Sequence, residues 1–196
     1  MRELESIVRL MNGQIALVGY GSLLSRSSLE GTLGRTYTGP FMQCTVRGWR
    51  RTWDAGMPNQ KFYTEGVKGR IMPRAILYLN VRRDPSTNIN GVIFAINQEE
   101  LAAYDRRESI YERVDVRSDL DVEIVGGPIY MYVCRPRYRI AYSNSPVDAA
   151  IRATYLQIIK QGLSELDDDF RQLYEKSTDI PPANLIIEDR VDPQTA

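Results

Sequence analysis

Histidine is absent from all 196 residues. That removes Ser-His-Asp and Cys-His catalysis and every histidine-containing metal site. Proton transfer, if there is any, falls to a carboxylate, lysine, tyrosine, thiol or water. Cysteine is nearly as scarce. Cys44 and Cys134 lie far apart, each in apolar, strand-like surroundings, and read as two buried free thiols. Long hydrophobic runs are missing too, and none approaches the roughly 20 residues of a membrane helix. The opening "MRELESIVRLMNG" mixes Glu3 and Glu5 with arginines where a signal peptide would carry an unbroken apolar region. These absences point to a cytoplasmic protein with no membrane partner.

Net charge is also absent overall, but its distribution is uneven. Residues 35–83 hold ten Lys/Arg against Asp54 and Glu65. Such a segment fits phosphate or nucleic acid, or else a solvated surface balanced by acids elsewhere. No RNA-binding signature accompanies it, so nucleic acid is not the expected partner.

What is present reads as a globular chain, with 43% hydrophobic and 26% charged residues. The length suits a single domain with a real core, here about 14–176, followed by an extended and partly mobile tail over 177–196. Leu4, Ile7, Val8 and Met11 fit a short amphipathic helix stopped by Gly13. Residues 15–20 read as a buried strand, and 41–53 as a strand pair or a strand bent at Gly48. Residues 54–73 are rich in Gly and Pro and read as a functional or mobile loop. "AILYLNV" (75–81) and "GVIFAI" (91–96) are strands joined by a polar turn. Asn97 and Glu100 form a capping box that opens a helix ending near Ser109. Residues 111–116 and 121–125 look like a hairpin, and 128–134 like a further strand. Ser145-Pro146 predicts a helix with Val147, Ala150, Ile151, Thr154 and Ile158 inward and Gly162 as its stop. A third helix places Leu166, Phe170, Leu173 and Tyr174 on one side. The sum is an α+β chain with a curled, mostly antiparallel sheet flanked by helices.

Two features carry chemistry. In "IALVGYGSLL" the strand breaks at Tyr20-Gly21-Ser22-Leu23, where Gly21 tolerates positive φ and successive N–H groups suit a carboxylate or oxyanion. Ser22 is a poor nucleophile without a histidine to activate it. The second is Glu108. Leu101, Tyr104, Asp105 and Glu108 stand at i, i+3, i+4 and i+7, which puts a carboxylate on a stripe begun by an apolar residue, while Arg106 and Arg107 fall on other faces. Burial there raises a carboxyl pKa toward the range of a general acid/base. Pairing with Arg113 is the bland alternative. Glu112 shares strand parity with Val114 and Val116, and periodicity does not choose between the two acids.

"VGYGSLL", "VRGWRRTW", "NGVIFAI" and "YDRRESIYERVDV", in that order, resemble the γ-glutamylcyclotransferase-like superfamily over roughly residues 15–165. The "VRGWRR" segment looks like the glutathione-degrading branch. The short interval from Glu108 to Tyr111 looks more like the plant and bacterial branches. The resemblance implies a small distorted β-barrel flanked by helices. It implies an enzyme that cyclises a γ-glutamyl group to 5-oxoproline and releases an amine or amino acid, with no cofactor and no metal. It assigns Glu108 as the acid/base, Tyr20, Gly21, Ser22 and Leu23 as substrate-binding, and Tyr111 as a wall of the site. Ser109 stands where many members have glycine or alanine, and the basic 54–73 stretch matches no branch closely. The rivals are a non-catalytic small-ligand module on the same fold and, less favoured, a phosphate or nucleic-acid binder using 35–83.

Overall fold

Two long strands organise the structure. The computed structural model describes residues 7–67, 69–140 and 145–195. The chain enters through β1 (Ile7–Arg9), β2 (Ile15–Gly19), α1 (Arg26–Leu33) and the 18-residue β3 (Phe41–Pro58). A hairpin of β4 (Phe62–Gly66) and β5 (Gly69–Ile71) precedes the 22-residue β6 (Ala75–Ile96). Helix α2 (Gln98–Arg107) leads to β7 (Tyr111–Asp115), β8 (Glu123–Val125) and β9 (Ile129–Cys134). The remainder holds β10 (Ala149–Arg152), α3 (Ala153–Ser164), α4 (Asp168–Lys176), β11 (Ile186–Ile187) and β12 (Arg190–Val191).

The main sheet runs β11-β10-β6-β2-β9-β7, with β3 laid antiparallel along β6. Its path does not close on itself among the described residues. The α+β class and the predominance of antiparallel pairing agree with the sequence reading. β2 is buried along its whole length because it lies between β6 and β9 with packing on both faces. One face carries Leu17, Phe94 and Ile96 beneath Leu101 and Tyr104 of α2. The other carries Val18, Trp53, Leu77 and Ile93 with Ile159 of α3 and Phe170 of α4. The curl of β3 comes from register shifts at Arg47/Trp49 and Thr52/Ala55, the first at Gly48 with φ 76°.

Several expectations change. Residues 75–96 form one strand. Its register against β3 jumps from Trp49↔Arg83 to Arg47↔Asn88, so the polar 84–87 stretch bulges out, tied by Asp84 accepting from Ser86 and Thr87. The 54–73 stretch is mostly strand, because its glycines serve a bulged ladder and the β4–β5 turn. Residues 7–9 are a strand pairing with β8, and 10–13 are an irregular segment ending in a turn, so no helix forms over 7–13; residues 1–6 of that expected helix lie outside the described residues. Residues 111–115 therefore pair with β9, and no 111–125 hairpin forms. The helix expected from Ser145 begins at Ala153, since 149–152 pair in parallel with β6 and β11. The tail is tied down through β11 and β12. Both cysteines are buried and free.

The basic 35–83 segment is dispersed by ion pairs. Arg35 meets Glu100, Arg50 and Arg82 meet Asp179, Arg70 meets Asp192, Arg74 meets Asp148 and Arg83 meets Asp119. The acids come from outside the segment, as a balanced surface requires. No helix among the described residues is long and apolar enough to cross a membrane.

Candidate active site

The chain leaves β2 at Gly19 and turns through Tyr20 and Gly21 into a short 3-10 turn, Ser22–Leu24. Gly19 is required by close approach, since a Cβ there would stand 2.8 Å from Leu23 Cβ. Gly21 differs from expectation: its φ is −129°, so left-handed freedom is not what it supplies. It supplies room, because a Cβ would stand 3.3 Å from the Tyr155 hydroxyl. The Gly21 and Ser22 N–H groups, at the start of the turn, donate to no acceptor among the described residues.

Across from this turn, α2 ends at Arg107, and Glu108 is its C-terminal cap with φ −91° and ψ 36°. The capping box of Asn97 and Glu100 is present at the other end. The structure brings Glu108, Tyr20, Gly21, Ser22, Leu23 and Tyr111 together around one narrow cleft with a cavity volume of about 30 Å³. The six residues that the family resemblance assigned thus line a single cavity. Glu112 does not line it; exposed on β7, it faces a neighbouring cleft. Arg113 pairs with Asp105 rather than with Glu108.

Four tyrosines wall the site. Tyr20 donates its hydroxyl to the Tyr132 carbonyl at 2.7 Å, and Tyr111 donates to the Leu79 carbonyl at 2.9 Å. Tyr132 donates to Asp105 at 2.8 Å. Burial pushes the Tyr20, Tyr111 and Tyr155 hydroxyls far above the usual phenol range, so they stay neutral donors. Tyr132, Tyr155 and Leu79 escaped the sequence reading; they come from β9, α3 and β6, and no local pattern links them.

Arg107 was also missed. Its Nε lies 3.2 Å from Glu108 Oε1, and its Nη2 donates to Ser22 Oγ at 3.0 Å. Ser28 Oγ, the Ser28 carbonyl and Thr32 Oγ1 take its remaining donors. Burial nevertheless raises the Glu108 pKa, and Arg107 only opposes that rise. From the described residues neither carboxylate oxygen receives a hydrogen bond beyond its ion pair with Arg107, yet neither is sealed off: among those residues only the Tyr174 hydroxyl is both buried and unpartnered. A desolvated carboxylate, open to a cleft and short of partners, is suited to exchanging a proton with whatever enters. Among the described residues no three of His, Cys, Asp and Glu gather as a metal-holding group.

No protein-family model and no curated protein sequence matches this chain. Solved structures do. A γ-glutamyl cyclotransferase aligns with TM-score 0.59 at 14% identity over 92% of this chain and 95% of its own. An uncharacterized protein from Homo sapiens aligns with TM-score 0.58 at 14% identity over 90% and 95%. YkqA from Bacillus subtilis aligns with TM-score 0.58 at 14% identity over 84% of this chain and 54% of that longer one. The fold is γ-glutamylcyclotransferase-like; at this identity the likeness establishes the fold alone.

Proposed function

We propose that this chain is a cofactor-independent γ-glutamylcyclotransferase, converting a γ-glutamyl compound to 5-oxoproline and a free amine or amino acid. The observation that carries the reading is the meeting of Glu108 with the Tyr20–Leu23 turn in one cleft, with the carboxyl pKa raised by burial.

The reaction is an intramolecular aminolysis. Glu108 takes a proton from the substrate α-ammonium, and the freed amine attacks the γ-carbonyl carbon. The carbonyl oxygen becomes an oxyanion facing the N–H groups of the 20–23 turn. Glu108 returns the first proton to the leaving nitrogen as the bond to it breaks and the five-membered lactam closes; the attacking nitrogen sheds its second proton by the same carboxylate, and the released amine carries it away as an ammonium. Because nucleophile and electrophile share one molecule, folding the substrate into an attack geometry is worth on the order of 7–11 kcal/mol. The tyrosine walls exclude water and hold the chain bent, and neutral hydroxyls let them do so without repelling the carboxylate.

The test is Glu108→Gln against a panel of γ-glutamyl amines and peptides, with 5-oxoproline release as the readout. Turnover is expected to fall by about 10²–10⁴-fold with the fold intact. Near wild-type release by this variant sinks the assignment. Glu112→Gln, altering an acid outside the cleft, is the matched control and is expected to retain activity. A non-catalytic ligand module is the second reading. Arg107 favours it, since it already joins Ser22 to Glu108. Saturable binding of γ-glutamyl compounds by the wild type with no 5-oxoproline formed selects that reading.

A further inference from the structure

Arg51 of β3 is fully buried, and its guanidinium meets no carboxylate among the described residues. All five of its N–H donors are nevertheless used. Nε donates to the Tyr20 carbonyl at 3.0 Å. Nη1 donates to Ser177 Oγ at 2.8 Å and reaches Thr178 Oγ1 at 3.5 Å. Nη2 donates to Asn90 Oδ1 at 2.9 Å and to the Asn90 carbonyl. Its carbon Cζ lies 4.1 Å from the centre of the Tyr174 ring. Ser177 closes the C-terminal end of α4, the negative end of the helix dipole, which favours a cation. Burial lowers the Arg51 pKa only to about 10, so the group is charged at neutral pH.

A sealed guanidinium without a counter-ion is costly unless every donor is satisfied, and a well-packed apolar side chain would fill the space at less risk. What this cation does is visible at its Nε. The Tyr20 carbonyl that it holds belongs to the first residue of the turn lining the cleft. The Tyr20–Gly21 peptide is trans, so its C=O and N–H point in opposite directions. With the oxygen facing Arg51, the Gly21 N–H faces away from it, and Gly21 borders the cleft while Arg51 does not. A cation on the oxygen of a peptide also polarises it and strengthens the N–H as a donor. The backbone of Arg51 is itself fixed: its N–H donates to the Ser177 carbonyl at 3.0 Å, and its carbonyl accepts from Asp179 N–H at 3.0 Å.

We propose that Arg51 is a positioning residue of this site, clamping the Tyr20–Gly21 peptide so that the Gly21 N–H is presented to the cleft as a strengthened oxyanion donor. The nature of that oxyanion rests on the cyclotransferase reading; the clamp does not.

The test uses the full chain carrying Arg51→Met or Arg51→Lys, each checked by thermal melting. Two readouts are taken: steady-state kinetics on a γ-glutamyl compound the wild type turns over, and the ¹H shift of the Gly21 amide without ligand. For Arg51→Met, kcat is expected to fall about 10–100-fold with KM changed by less than about threefold, because the donor acts on the transition state. The Gly21 proton is expected to move upfield. Arg51→Lys keeps a charge but loses the fork, and both effects are expected to be smaller. A folded Arg51→Met with wild-type kcat and an unmoved Gly21 proton overturns the proposal. Should Arg51→Met fail to fold, the Gly21 shift in Arg51→Lys decides: movement supports the clamp and an unmoved proton overturns it. Should neither variant fold, 5-oxoproline is titrated into the wild type. Joint, saturable movement of the Gly21 amide and the Arg51 Nε–H supports the clamp, and any other response overturns it. Absence of turnover by the wild type on every γ-glutamyl compound defeats the cyclotransferase reading alone, and the ligand-free Gly21 shift still decides the clamp.

Discussion

Glu108 is pulled two ways, by burial that favours its neutral form and by Arg107 that favours its ionised form, and burial wins. If the ionised carboxylate is the base, the acidic limb of kcat/KM lies above the range of an ordinary glutamate. Arg107→Ala removes the opposing cation, so that limb moves to still higher pH; a limb that stays put or moves down contradicts the assignment. The same shift bears on stability. A carboxyl whose folded pKa is raised contributes stability in full below its unfolded value near 4.5 and loses it as pH rises through the folded value. Glu108→Gln, which cannot ionise, should therefore melt at a higher temperature relative to wild type at pH 8 than at pH 4. Melts at the two pH values check the sign, and an equal difference at both refutes the burial argument.

Helix α3 lies against the turn that follows the site, and Gly162 makes that approach possible. It falls within the helix, although the sequence suggested a stop. A Cβ there would stand 2.5 Å from Ser25 N and 2.6 Å from Leu24 C, backbone atoms that cannot rotate aside. In a free helix Gly→Ala stabilises by roughly 1 kcal/mol. Here overpacking of about 1–3 kcal/mol opposes it, so Gly162→Ala should lower stability in urea denaturation; a rise in midpoint would show that the helix simply shifts. The same contrast between local and distant causes explains what the sequence disclosed. The α2 cap, the β2 strand, the Tyr20–Leu23 break and the helix-end glutamate are signals confined to a few neighbouring residues, and all were legible. Residues 149–152 looked helical because Ser145-Pro146 is a valid local start; their pairing with 75–76 and 186–187 is non-local. The glycines and prolines of 54–73 looked like loop because sheet context, not composition, decides whether such residues serve bulges and turns. The hold of Arg107 on Glu108 was hidden because periodicity treats 108 as helical, whereas as a cap it swings beside its neighbour.

The C-terminal segment shows how the whole molecule supports the cleft. β11 pairs with β10, β10 runs directly into α3, and α3 carries Tyr155 into the cavity wall. Leu185 is fully buried at the entry to β11. Asp189 then accepts from Arg152 Nε at 2.9 Å, Thr154 N–H at 3.0 Å and the Thr154 hydroxyl at 2.7 Å, which pins the strand-to-helix junction. A tail held by such contacts is part of the fold rather than an appendage, and truncating its buried leucine leaves a cavity beside β10. Leu185→Ala should cost about 2–5 kcal/mol, the range for deleting a buried leucine side chain. Hydrogen exchange locates the effect: amides of 149–152 and of the first turn of α3 should lose protection, while α2, packed on the opposite face of the sheet, keeps its own. Uniform loss across both regions would mean that the tail is coupled only to global unfolding, and unchanged protection at 149–152 would mean that β10 holds without it.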